Sequence, residues 1–260
     1  MTSETSGDVG IEIGDDSVAI VELRRPPENY FDVAMIRALA DAYATLDEDP
    51  RCRAIVLCSQ GKHFCAGADF SGRRAAPVGE RGAASLYVEA VRLFEAATPV
   101  VAAVQGAAVG GGLGLACSAD FRVAGPQARF AANFARLGFH HGFGLTVTLP
   151  PIVGEQHSLE LLYTGRRITG EEAARIGLCD RLVQQDEVRT AARALAAEIA
   201  GSAPLAVRSI RATMRAGLAD RVRAAVDRED AEQSRLRETA DWGEGVRAMA
   251  ERRTPRFEGR

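Results

Sequence analysis

The chain has 260 residues, 47% of them hydrophobic, and a formal net charge of −3. That is enough apolar material for a large core, and the near-neutral balance gives no reason to expect nucleic acid as a partner. No apolar run approaches a membrane span. The polar opening from Met1 to Asp8 lacks the basic start and apolar middle of a secretion signal, so a soluble cytoplasmic protein without a membrane partner is expected.

Residues 9–24 alternate apolar and polar around Gly14-Asp15-Asp16-Ser17, the pattern of a hairpin. Asp32 stands where a helix cap belongs, ahead of Met35, Ile36, Leu39, Tyr43 and Leu46 on one helical face. Arg53 to Cys58 reads as a buried strand. The chain then turns through Gly61 and reaches small residues at 65–68, where a ligand can come close enough to take a main-chain hydrogen bond. Residues 71–82 combine glycine, proline and charge without apolar periodicity and read as flexible, either an idle surface loop or a flap ordered by ligand.

Val100 to Val104 is a second strand, after which Gly106 and Gly110 to Gly112 lead into an apolar helix through Cys117. A helix that opens in glycines presents unpaired N–H donors and the positive end of its dipole, which suits an enolate or a tetrahedral oxyanion. The same glycines would equally serve as tight turns that pack a helix on a sheet. Strand and helix alternate to about residue 160, predicting a parallel sheet wrapped by helices, and from Glu171 the pattern is helical, over 186–200, 203–218 and 222–240. Cys52, Cys58, Cys65, Cys117 and Cys179 form no C-x-x-C pair and are odd in number, so reduced core thiols are expected, with no disulfide framework and no metal site.

The order of these parts is more specific than any one of them. A strand, Phe64-Cys65-Ala66-Gly67-Ala68-Asp69, a long connection, a second strand, Gly106-Ala107-Ala108-Val109-Gly110-Gly111-Gly112 and a helix together resemble the enoyl-CoA hydratase/isomerase (crotonase) family. Leu23 to Pro27, Asp120 to Ala124, Leu161 to Arg166, Ala173 to Leu178 and Arg252 to Phe257 follow in the family's order, so the resemblance spans nearly the whole chain. It implies an α/β fold with a ββα spiral core over 1–200 and a C-terminal helical trimerisation module over 201–260, assembled as a homotrimer or as a hexamer of two trimers. It also implies an acyl-CoA thioester as ligand, with coenzyme A part of the substrate and no further cofactor. The thioester carbonyl would be polarised in an oxyanion hole by the N–H groups of Ala66 and Gly111.

The resemblance also locates acids that this chain lacks. In efficient hydratases of the family one glutamate follows the triple glycine by two residues, the place of Gly114 here, and the second falls at Phe134. The carboxylate that some isomerases and dehalogenases carry falls at Gly142. Each missing proton-transfer group typically contributes on the order of 10²–10⁴-fold, so standard hydration is not the expected reaction. His140 and His141 lie in the turn before Gly142, where an imidazole would be an acid or base near neutral pH. They read equally as turn residues bonded to main chain or reaching a subunit contact, and neighbours in extended backbone point to opposite sides, so both would not serve one site. Phe134 reads as pocket lining, Ala68 and Asp69 as parts of the ligand loop with Asp69 supporting it. Asn133 reads as a group that orients a water or carbonyl, or else satisfies a turn. Cys65 reads as a packed side chain rather than a nucleophile. Arg24 and Arg25 fall where the family's first loop meets the nucleotide, and Arg252, Arg253 and Phe257 resemble a tail that approaches coenzyme A on a neighbouring subunit. Two readings follow: a lyase, isomerase or hydrolase acting on acyl-CoA with non-standard proton chemistry, or a non-catalytic acyl-CoA-binding module.

Overall fold

Period-two alternation in the central strands sorts their side chains onto two faces of one sheet, and each face recruits its own helices. The computed structural model describes residues 3–68 and 80–260. In chain order the strands are β1 (Ser3–Ser6), β2 (Val9–Ile13), β3 (Val18–Leu23), β4 (Ala54–Ser59), β5 (Val100–Val104), β6 (Ala107–Val109), β7 (Phe121–Ala124), β8 (Arg129–Ala131), β9 (Arg167–Thr169) and β10 (Arg181–Leu182). The helices are α1 (Val33–Glu48), α2 (Glu80–Glu95), α3 (Gly111–Ser118), α4 (Leu145–Val153), α5 (Glu155–Thr164), α6 (Gly170–Arg175), α7 (Val188–Ala200), α8 (Pro204–Met214), α9 (Leu218–Arg237) and α10 (Ala240–Ala250).

Seven strands form one sheet in the order β1-β2-β3-β4-β5-β7-β10, antiparallel from β1 to β3 and parallel from β3 onward. The expected hairpin is β2–β3, in which Ile13 lies opposite Ala19. The amino terminus adds an edge strand that the apolar pattern did not reveal, paired antiparallel with β2 along the main chain. A second sheet, β6-β8-β9, brackets the glycine-rich start of α3, with β6 leading directly into Gly110 to Gly112. On one face of the large sheet Ala54, Val56, Cys58, Val101 and Ala103 meet Val188, Ala192 and Ala196 of α7. On the other, Ile55, Leu57, Ala102 and Val104 join Met35, Ile36, Leu39 and Tyr43 of α1 in the main core. Asp32 caps α1 as expected, its Oδ1 accepting from the Met35 N–H at 2.9 Å.

The C-terminal helices differ from expectation in their breaks. α8 ends at Met214 and α9 begins after Gly217, whose φ of +69° is a left-handed value open to glycine, so the break falls before residue 218. Thr239 caps a further helix, α10, by accepting from the Trp242 N–H. Val222 and Val226 of α9 lie in the same core as Leu145 and Leu149 of α4, so the segment after residue 200 helps to complete the main core. All five cysteines are buried and unpaired. Among the described residues no helix is long and apolar enough to cross a membrane.

Candidate active site

Asn29 organises the first loop. It is fully buried at φ +50°, a conformation asparagine tolerates, and its Oδ1 accepts from the Arg25 N–H at 3.0 Å. Its Nδ2 donates to the carbonyls of Gln60 at 2.8 Å and His63 at 2.7 Å, pinning residues 25–31 against 60–68. Glu28 O consequently accepts from the Ala66 N–H at 2.9 Å, and Gly67 O accepts from the Phe31 N–H at 3.0 Å. The expectation that Ala66 presents a ligand donor is corrected by this bond, because that N–H is engaged inside the loop. The neighbouring peptide is arranged differently. Its carbonyl, Gly67 O, turns toward Phe31, and in a trans peptide the N–H points the opposite way, so the Ala68 N–H is directed away from Phe31.

On that side lies the second loop. Cys65 N–H donates to Ala107 O at 2.9 Å and Val109 N–H to Cys65 O at 3.0 Å, laying residue 65 beside β6. Gly67, at φ +94°, is so close that a Cβ there would stand 2.9 Å from Val109 O and 3.6 Å from Gly111 N. Gly110 O accepts from Leu113 N–H at 3.0 Å and Gly114 N–H at 3.2 Å, so it points along α3 and the Gly111 N–H points out of the helix start. Gly112 packs against the carbonyl of Cys65, where any Cβ would collide. The two loops therefore bring the N–H groups of Ala68 and Gly111 to one gap.

Aromatic rings line this gap. Phe31 and Phe143 pack with centroids 5.4 Å apart, and a Cβ at Gly111 would collide with the Phe31 ring and stand 3.6 Å from Cδ2 of Phe143. A Cβ at Gly114 would stand 2.5 Å from Cβ of Phe143 and 2.9 Å from its ring, so Phe143 occupies the volume into which a side chain at 114 would grow. Phe134 is buried beside Gly110, with Asn133 Oδ1 next to the same glycine. Phe134 is thus packed against the second loop at Gly110.

The turn from His140 to Thr146 presents Phe143 rather than either histidine to Gly111 and Gly114. The two imidazoles stack at 4.1 Å; His140 Nδ1 bonds to His141 O and His141 Nε2 to Thr146 Oγ1, both at 2.8 Å. Burial, and then the neighbouring His140, hold His141 down to about 4, well under the ordinary imidazole range. The Glu229 carboxylate stands 3.9 Å away, its oxygens accepting from Gly144 N–H, Thr146 N–H and the Thr146 hydroxyl. Gly142 faces Tyr87, whose hydroxyl fills the place of any side chain there and donates to Gln233 Oε1 at 2.9 Å. Burial pushes the Tyr87 hydroxyl up and the Cys65 thiol up to about 12, so neither is ionised near neutrality.

Arg25 is corrected as a ligand group. Its side chain, 11% exposed, is paired with Asp8 at 2.5 Å and Asp32 at 2.8 Å, and so ties the first loop to the start of α1. Arg24 pairs with Glu22 at 3.0 Å and keeps 30% exposure. Among the described residues Asn133 Nδ2 reaches Met249 Sδ, at 4.0 Å. Phe257 stands 43% exposed in a tail that folds back onto Asp241 at the start of α10. Asp69 and residues 71–79 of the expected flap lie outside the described residues, and residues 80–82 open α2. Asn29, Phe31, Phe143, Tyr87 and Glu229 had no sequence signal beyond residue type, since each acquires its role from a partner in a distant segment.

A family model described as enoyl-CoA hydratase/isomerase matches residues 14–260. A Thermus thermophilus protein provisionally named an enoyl-CoA hydratase is 36% identical over 259 residues, covering 95% of this chain and 100% of that protein. A carnitinyl-CoA dehydratase of Salmonella typhi is 34% identical over 249 residues, covering 92% of this chain and 94% of the other. The crystal structure of an enoyl-CoA hydratase/isomerase from Pseudoalteromonas atlantica T6c superposes with a TM-score of 0.87 at 28% identity, over 97% of this chain and 100% of that one. With the two donor loops in the order first read from the sequence and these matches along nearly its full length, the chain belongs to the enoyl-CoA hydratase/isomerase family, with the crotonase fold.

Proposed function

We propose that the chain binds an acyl-CoA thioester with its carbonyl oxygen between the N–H groups of Ala68 and Gly111, and stabilises the negative charge that develops on that oxygen. The observation that supports this is the convergence of two main-chain donors, from separate loops, on the gap beside Gly67. A preorganised donor of this kind in apolar surroundings contributes about 3 kcal/mol to an oxyanionic transition state. Phe31, Phe134 and Phe143 keep the acyl side dry, which favours an enolate held by the two donors over addition of water. Gly114 and Gly142 bring no acid and Phe134 only a ring, so two-carboxylate hydration does not fit, and the fitting reactions are those in which the α-proton passes to solvent and solvent returns a proton to the enolate, as in α-proton exchange or isomerisation. His141, bonded to Thr146 and neutral, serves the turn. Arg24 is the member of its pair left to meet a phosphate of coenzyme A, and Arg252, Arg253 and Phe257 reach the ligand of a neighbouring subunit.

Assembly as a homotrimer, or a hexamer of two trimers, is supported by α8. Its inward side sends Arg208, Arg211 and Arg215 to Asp47, Thr98 and Asp120, while Leu205, Ile210 and Met214 stand exposed outward. Exposed Leu205, Ile210 and Met214 on a helix whose arginines point inward are apolar surface that asks for a partner.

A second reading, an acyl-CoA-binding module without turnover, is favoured by Phe143 filling the volume over Gly114. Incubation with enoyl-, β-oxo- and cyclic acyl-CoA thioesters in heavy water, followed by mass, separates the two. Deuterium uptake or isomerisation on any thioester is the expected result. Thioesters retained by the protein but unchanged would establish the binding module, and binding no tighter than coenzyme A alone would end both readings.

A further inference from the structure

We infer that Glu229 of α9 is a positioning residue that sets the acyl wall of the site through Phe143, an inference that rests on the acyl-CoA reading above. The C-terminal helix α9 carries two polar side chains with almost no exposure, Glu229 at 0% and Gln233 at 3%. They are one turn apart and so share a face, and both reach the same seven residues, 140–146. Gln233 Nε2 donates to His140 O at 3.0 Å at the start of the turn. At its end Glu229 Oε2 accepts from the Gly144 N–H at 2.8 Å, and Oε1 accepts from the Thr146 N–H at 3.1 Å and the Thr146 hydroxyl at 2.6 Å.

Between the two grips sits Phe143 at φ +63°, a left-handed conformation that a bulky residue adopts only when its surroundings impose it. This conformation is what lays Phe143 over Gly111 and Gly114 and against Phe31. Fully burying a glutamate is costly unless its oxygens are satisfied, and here they are satisfied by the donors that fix the turn. The helix that follows the core in sequence therefore builds one wall of the site inside the core, and the position of that wall is set by a carboxylate.

The test is a comparison of acetoacetyl-CoA with coenzyme A by calorimetric titration, in the wild type and in Glu229→Gln, Phe143→Ala and the double variant. Glu229→Gln keeps the size of the side chain but places an amide N–H against main-chain donors. It is expected to weaken acetoacetyl-CoA about tenfold while changing coenzyme A by less than about twofold, and to add less than about twofold in the Phe143→Ala background. Equal loss for both ligands, no loss for either, or the same loss with and without Phe143 would overturn the inference. A crystal structure of Glu229→Gln in which residues 140–146 keep their places overturns it whatever the ligands do. Should that variant not fold, Thr146→Val removes one of the three donors and is expected to show the same selectivity at smaller size, with Thr146→Ser restoring it. A wild type that binds acetoacetyl-CoA no tighter than coenzyme A would instead bring down the acyl-CoA reading itself.

Discussion

Gly114 and Phe143 compete for one volume, and this governs what either can become. Gly114→Ala places a methyl 2.5 Å from Cβ of Phe143, an atom close to the backbone that cannot swing aside. It is expected to cost about 1–3 kcal/mol in urea unfolding, and much less in a Phe143→Gly background, which removes that Cβ and the ring with it, so that the two substitutions are strongly non-additive. His141 sets a pH dependence. Its folded value of about 4 lies below the ordinary imidazole value, so as pH falls from about 6.5 toward 4 the unfolded chain takes up a proton that the folded chain refuses. Stability is fully present above that window and declines within it, by on the order of 3 kcal/mol at most, and His141→Gln is expected to flatten the decline in melts across this range. Arg25, held by two half-exposed carboxylates, belongs to stability: Arg25→Ala is expected to cost about 1 kcal/mol in unfolding and to leave coenzyme A affinity nearly unchanged in titrations. An equal loss of affinity would return Arg25 to the ligand.

At the scale of elements, the two donor loops were legible because glycine and alanine at those places have a local reason: main chain must approach main chain. That the Ala66 N–H is engaged inside the loop was not legible, since it turns on Glu28 O, a partner nearly forty residues away in sequence. The aromatic wall was half legible. Phe134 sits near the second loop in sequence, whereas Phe31 and Phe143 arrive from separate segments and meet only in the fold. The inversion of α8 was hidden as well, because its periodic apolar residues look like a core face until Arg211 and Arg215 are seen reaching Asp120. That helix yields a prediction. Ile210→Glu on its exposed face is expected to reduce the solution mass from a trimer or hexamer toward a monomer in light scattering, with the circular dichroism of the fold retained. An unchanged mass would remove α8 from the interface.

Across the whole molecule, alternation of strand and helix was enough to foresee a parallel sheet between helical layers, because each face of a buried strand is written in its own sequence. The closing of the site by α9 was not foreseeable in that way, for a glutamate in a charged helix reads as solvated surface until the fold supplies Gly144 and Thr146 as its donors. The shared volume of Gly114 and Phe143 also bears on descent. A substitution that gives residue 114 an acid must first overfill the space beside Phe143, and one that shrinks Phe143 must first surrender a buried ring, about 3–5 kcal/mol out of the 5–15 kcal/mol that typically separate a folded domain from its unfolded chain. Neither single step is easily survived, so packing between residues 114 and 143 resists any side chain at position 114 unless both positions change together.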